Sequence, residues 1–298
     1  MVRLGAQIAP AHRWRKICTA PNARKNSPPL GGAPSALDLA VASRDSHILK
    51  MVAAALHHKE VLLAFQPVVA ARPPHSIAFY EGLIRVLDDT GRVIPAKEFI
   101  TTIEETELGR ILDCVALDMG LRCLARVPGL RLSLNMSARS IGYPRWIKTL
   151  RKGLQANPTV AQRLILEVSE TSAMLVPEIL GGFMLEYQRK GVSFALDQFG
   201  AGATSLRYLR EFYFDILKID GQFIRAIAKT PDNQVLTKAL LAIARQFDMF
   251  TVAENVESAA DAAWLAAAGV DCQQGYFHGA PTLQPPWQMA GQAHPADA

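Results

Sequence analysis

Residues 192–198 read VSFALDQ and residues 215–219 read DILKI. Each is a short apolar run of strand length that carries a charge near its C-terminal end, Asp197 in the first and Lys218, followed by Asp220, in the second. The same shape recurs outward along the chain: 61–69 (VLLAFQPVV), 77–86 (IAFYEGLIRV), 131–136 (RLSLNM), 163–168 (RLILEV), 249–254 (MFTVAE) and 271–277 (DCQQGYF). Helical period fills the intervals. Leu236, Leu240, Ile243, Ala244 and Phe247 repeat at helical spacing, and residues 178–190 end at Lys190 with Gly191 placed as a C-cap. Eight strand–helix alternations in roughly 240 residues predict an α/β fold, a single-domain (β/α)8 barrel of the TIM type, whose chemistry sits at the C-terminal ends of its strands.

The polar residues obey that rule. Glu81 follows Phe79 and Tyr80, Asn135 ends LSLN, Glu167 ends LILE, Asp197 ends SFALD, Glu254 ends TVAE and Gln274 lies in CQQGY. Any one acid after a strand is as readily a solvated loop residue. As a set on barrel strands they converge on one mouth, and four or more carboxylates cannot share it without a cation. Oxygen donors from Glu, Asp and Asn, with no cysteine or histidine among them, suit Mg²⁺ or Mn²⁺ better than zinc.

Composition narrows the alternatives. A hydrophobic fraction of 50% with 20% charged residues is ordinary for a globular chain. Of 32 basic residues, six precede Asp38, the first acid, which leaves 26 against 27 acids for the rest and no electrostatic case for a nucleic-acid-binding body. Residues 1–36 are expected to be a disordered basic leader, 37–283 the barrel domain and 284–298 a disordered tail. No apolar run is long enough for a membrane span, and the leader lacks the apolar segment of a secretory signal. Cys18, Cys114, Cys123 and Cys272 show no ligand or disulfide spacing, in keeping with reduced thiols in the cytoplasm. His57 and His58 read as a surface pair and His278 as a loop histidine. Tyr208, Phe212, Tyr213 and Phe214 read as core packing.

These residues also resemble the motifs of the EAL-domain cyclic-di-GMP phosphodiesterases. Glu81-Gly82-Leu83-Ile84-Arg85 is similar to the signature of that family, Asn135-Met136-Ser137 to its N-x-S element, and Glu167-Val168-Ser169-Glu170 to its E-x-T/S-E element. Asp197-Gln198-Phe199-Gly200-Ala201-Gly202 looks like its D-D-F-G loop, while Lys218-Ile219-Asp220, Ala253-Glu254-Asn255-Val256-Glu257, Gln274-Gly275-Tyr276 and Gln66-Pro67 resemble further elements, all in the family's order. The resemblance implies a modified TIM barrel that binds cyclic di-GMP and, when complete, hydrolyses it to linear pGpG with Mg²⁺ or Mn²⁺. It implies Glu81, Asn135, Glu167 and Asp197 as metal ligands, and Lys218, Glu254 and Gln274 as catalytic residues. Gln66, Arg85, Asp220 and Glu257 would contact the nucleotide, and Glu170 would brace the loop that begins at Asp197. It also implies that the region after this loop can face a partner in a homodimer.

The departures matter as much. Where the resemblance implies a second metal-holding aspartate the chain has Gln198, a weak ligand or none, and Ala203 and Asn255 replace a usual aromatic and glycine. Losing one anionic ligand would raise a barrier by about 2–4 kcal/mol, on the order of 30- to 1000-fold in rate. Two functions therefore stand open: a phosphodiesterase of reduced turnover, or an EAL-fold receptor or protein-contact module. A third pattern, Gly200-x-Gly202-x-x-Ser205, mimics a dinucleotide-binding fingerprint, but its third glycine is Ser205 and Asp197 would set a charge beside the pyrophosphate.

Overall fold

The computed structural model describes residues 35–201, 209 and 212–289. The leader up to residue 34, the residues Gly202, Ala203, Ser205 and Tyr208, and the last nine positions of the expected tail lie outside the described residues. Helix α1 (Ala36–His58) leads into a hairpin of β1 (Val61–Ala70) and β2 (Ile77–Leu87), followed by the short β3 (Val93–Pro95) and by α2 (Ile100–Ile103) and α3 (Glu107–Arg126). Then come β4 (Leu132–Asn135), α4 (Pro144–Ala156), β5 (Leu164–Ser169), α5 (Glu170–Ala173), α6 (Pro177–Gln188) and β6 (Ser193–Phe199). The chain continues through β7 (Ile216–Ile219), α7 (Gly221–Ile224), α8 (Pro231–Gln246), β8 (Phe250–Ala253), α9 (Ala259–Ala268), β9 (Cys272–Gln273) and α10 (Pro286–Met289).

Among the described residues the strands run in the order β1-β9-β8-β7-β6-β5-β4-β2-β3, and pairing of β1 with β2 closes eight of them into a barrel. The pairs from β2–β4 through β8–β9 are parallel, whereas β1 is antiparallel to both β2 and β9 and β3 is antiparallel to β2. The eightfold strand–helix alternation expected from the sequence therefore fails at its first step. An antiparallel pair needs only a short link, and residues 71–76 supply it where a parallel pair would need a crossover helix. The hairpin's outer face is covered instead by the C-terminal segment. Trp287 stands edge-on to Phe65 at 5.1 Å and to Tyr80 at 4.7 Å, and Thr282 exchanges backbone hydrogen bonds with Phe65. Within the stretch expected to be a tail, Pro286–Met289 forms α10, because Trp287 finds an apolar sheet face to cover.

Two further differences have physical causes. On α8 Ala244 is buried and Leu240 and Ile243 pack against the core as expected, whereas Leu236 and Phe247 are exposed and Thr237 and Leu241 complete the buried face. Its sequence TKALLAIA is apolar on neighbouring positions, and only the packing surface chooses among phases. β9 is shorter than the expected 271–277, because at Gly275 the chain runs so close to the Val256 backbone that a Cβ would collide with it. Phe212 and Phe214 are buried and Tyr213 is exposed. No helix among the described residues is long and apolar enough to cross a membrane.

The core lies in two shells. Outward-facing Leu164, Leu166, Phe194 and Leu196 pack under the helices with Leu180, Phe183 and Tyr187. Inside the barrel, Val68, Phe79, Ile165, Ala195, Ile216 and Val252 form a separate buried plug, against which Cys272 packs.

Candidate active site

That plug positions the site. Side chains alternate along a strand, so the residue two further toward the mouth points inward as well. Moving two residues on from Phe79, Ile165, Ala195, Ile216, Val252 and Cys272 reaches Glu81, Glu167, Asp197, Lys218, Glu254 and Gln274, and the same step from buried Ser133 reaches Asn135. On β1, which runs the other way, the equivalent residue precedes the plug, and Gln66 lies two before Val68. One polar layer thus rests on one apolar layer, with seven of the eight barrel strands contributing to both and β4 placing buried Ser133 beneath Asn135.

Lys218 sits at the centre of the polar layer, shut off from solvent. Its Nζ lies 2.7 Å from Glu167 Oε2, 3.0 Å from Glu81 Oε2, 3.0 Å from Glu254 Oε1 and 3.2 Å from Asp197 Oδ1. Glu81 is also bound by Gln274, whose Nε2 donates to its Oε2 at 2.6 Å, and by Asn135, whose Nδ2 donates to its Oε1 at 2.7 Å. Gln274 donates to Gln66 Oε1 at 3.2 Å, and Gln66 donates to the Gly279 carbonyl at 3.1 Å. Burial raises the Glu81 carboxyl, but Lys218 and the amide donors outweigh it and hold the group below the usual carboxylate range. Burial and the neighbouring charges of Glu81 and Asp197 push Glu167 up, and burial with Asp197 does the same for Glu254. Burial disfavours the Lys218 ammonium, yet the four carboxylates hold it charged well above the ordinary lysine range.

One ammonium cannot balance four carboxylates in a water-poor site. Glu167 Oε1 and Gln274 Oε1 are buried with no hydrogen-bond partner, and Asp197 Oδ1 has only its ion pair with Lys218. Among the described residues no three carboxylate, imidazole or thiolate groups already stand in metal-ligand geometry, since they are drawn in around Lys218. Unmatched negative charge and unsatisfied hard oxygen atoms are nonetheless the donor set that a divalent cation requires, so the residues present fit one.

Other expected site residues fall into place unevenly. Glu170 Oε2 accepts from the Gly200 amide at 2.8 Å, and Gln222 Nε2 donates to the Gly200 carbonyl at 3.2 Å, so the loop after Asp197 is gripped from both sides. Gly200 has φ +90°, which only glycine adopts freely. Gln198 is exposed on the rim with φ +56°, beyond the polar layer. Asn255 has φ +55°, a left-handed position that glycine or asparagine tolerates, so this departure is conformationally benign. Arg85 is half-buried, near Glu81 and Tyr276. Asp220 Oδ1 accepts from the Gln222 amide at 2.8 Å and caps α7, and Glu257 is exposed 4.0 Å from Arg225, so neither joins the layer around Lys218. Sequence reasoning missed Gln222 and Asp113. The latter had a signal, an acid in the stripe it shares with buried Leu117, Gly120 and Leu124 on α3.

The family model described as EAL domain matches residues 49–281. Cyclic di-GMP phosphodiesterase PdeB of Shewanella oneidensis is 31% identical over 235 residues, covering 77% of this chain and 27% of the relative. Cyclic di-GMP phosphodiesterase PdeR of Escherichia coli is 29% identical over 238 residues, covering 76% of this chain and 35% of the relative. The chain thus spans about a quarter to a third of the length of these curated relatives. Among solved structures, the PaMucR phosphodiesterase complex with c-di-GMP superposes with a TM-score of 0.71 at 27% identity, over 82% of this chain and 99% of that one. The FimX EAL domain from Pseudomonas aeruginosa bound to c-di-GMP superposes with a TM-score of 0.70 at 26% identity, over 80% and 96%.

Proposed function

Since this chain belongs to the EAL domain family, we propose that it binds cyclic di-GMP at the barrel mouth and hydrolyses it to linear pGpG with Mg²⁺ or Mn²⁺, at reduced turnover. The observation that carries this reading is the convergence of Glu81, Glu167, Asp197 and Glu254 on Lys218, with carboxylate and amide oxygens left unsatisfied. A barrel that only contacted another protein has no physical need for a buried charge excess.

Glu81, Asn135, Glu167 and Asp197 would hold the cation. When bound, it would neutralise phosphate oxygens and bring a water's pKa near neutrality. Lys218 keeps its proton and holds the carboxylates in one layer, and its ammonium can pass to a phosphate oxygen once the carboxylates have another partner. Glu254, whose carboxyl is raised by burial and by Asp197 and which lies 3.0 Å from Lys218 Nζ, would serve as the general base. Gln274 and Asn135 orient the Glu81 carboxylate, while Gln66 and Arg85 stand on the side where the nucleotide would lie.

A second reading, a receptor that binds without turnover, is favoured by Gln198 alone, which brings no charge where a second ligand would be needed. Purified protein incubated with cyclic di-GMP and Mn²⁺, followed by chromatography, separates the two. Accumulating pGpG supports hydrolysis, and tight binding without product supports the receptor. Absence of binding in calorimetry, with Ca²⁺ present to block turnover, overturns both.

A further inference from the structure

We propose that Asp113 is a positioning residue for Asn135: from α3 its carboxylate clamps the turn after β4 and thereby sets the Asn135 amide against Glu81. The inference rests on the site reading given under Proposed function, in which Asn135 acts.

The turn leaves β4 with three consecutive amides, each handed to a different neighbour. Met136 N donates to the Glu167 carbonyl at 2.9 Å, Ser137 N to Asp113 Oδ2 at 3.1 Å, and Ala138 N to Ser172 Oγ at 2.8 Å. The first partner lies on β5 and the third on α5, both inside the barrel's own succession of site loops. The second comes from outside that succession, on the helix that covers the barrel. Asp113 Oδ2 accepts a further bond from Ser140 Oγ at 2.6 Å, and Ser140 is fully buried, so one carboxylate oxygen ties both ends of the turn. Asn135 lies two residues before the clamped amide and donates to Glu81 at 2.7 Å.

The choice of residue argues for precision over mere stability. Asp113 has no cation among these partners, only a hydroxyl and an amide, and burial pushes its carboxyl up to about 6. Stability alone would favour a neutral residue at this position of the stripe. A carboxylate oxygen accepts the two converging bonds more strongly than a neutral amide oxygen would, and an apolar side chain would not accept them at all. If the turn drifts, the Asn135 amide leaves Glu81 and one of the three groups that aim that carboxylate is lost.

A double-mutant cycle read by Ca²⁺-supported binding of cyclic di-GMP in calorimetry tests this. Asn135→Ala and Asp113→Ala should each weaken binding on the order of tenfold, and the double variant should be at most about twofold worse than Asn135→Ala alone, because residues acting through one another are not additive. Asp113→Asn, which keeps an acceptor oxygen, should stay within about threefold of the parent, whereas Asp113→Leu, which keeps the volume without an acceptor, should bind as weakly as Asp113→Ala; equal binding by the Leu and Asn variants overturns the inference. Should Asp113→Ala fail to fold, Ser140→Ala takes its place in the cycle with a weaker effect and the same non-additivity. Effects that multiply, or parental binding by Asp113→Ala while Asn135→Ala is weakened, overturn the inference. Parental binding by Asn135→Ala instead shows that the site reading itself fails, and this inference with it.

Discussion

The Nζ of Lys218 lies 2.7 Å from Oε2 of Glu167, and the two side chains are shut off from solvent. They stand 51 residues apart in the chain, and the pair is one of four that converge on a single ammonium. Removing that ammonium leaves buried carboxylates facing one another. Lys218→Met should therefore lower stability by about 3–5 kcal/mol in the presence of a chelator. Thermal melting checks it: Mn²⁺ should restore the variant's melting temperature more than it raises that of the parent.

Glu81→Ala should lose divalent-cation affinity and hydrolysis while the barrel stays folded, since Glu81 is where Lys218, Gln274 and Asn135 meet. Circular dichroism verifies the fold and titration with Mn²⁺ reads the affinity. Turnover equal to the parent would show that the layer around Lys218 is not the reaction site.

Gln198→Asp returns a negative charge to the exposed rim beside Asp197. Turnover of cyclic di-GMP should rise on the order of tenfold or more, which is about 1.4 kcal/mol off the barrier, with nucleotide affinity changing less. An inert variant that still binds tightly would identify a receptor.

Asp113 gives the stability a pH dependence of defined sign. Its carboxyl stands at about 6 in the folded protein against an ordinary 3.8, so between these values the unfolded chain releases the proton first and stability falls as pH rises. The loss is complete above the folded value. Discounted for the part of the side chain that water reaches, it amounts to on the order of 1–2 kcal/mol. Urea unfolding at pH 4 and pH 7 should show a smaller difference in Asp113→Asn than in the parent.

Trp287→Ala should cost about 2 kcal/mol, since the half-buried ring covers Phe65 and Tyr80 on the outer face of the β1–β2 hairpin. A chain ending at residue 283 should melt lower by a similar amount. Unchanged melting would show that the segment is dispensable, as its composition of proline, glutamine and alanine suggests.

The amino-acid sequence by itself determined the strands and the acids at their ends. Strand period is local: an inward Phe79 makes Glu81 inward too, and the same two-residue step applies from Ile165 to Glu167 and from Ala195 to Asp197 without knowledge of any neighbour. Tertiary structure alone decided the direction of β1, the phase of α8, the docking of Trp287 and the gathering of Glu81, Glu167, Asp197 and Glu254 on Lys218. Each of these turns on partners far apart in the chain, such as Lys218 and Glu81, 137 residues apart. Asp113 shows the boundary between the two: its place in an apolar stripe was legible, but the serines that occupy it lie across a fold that only packing brings together.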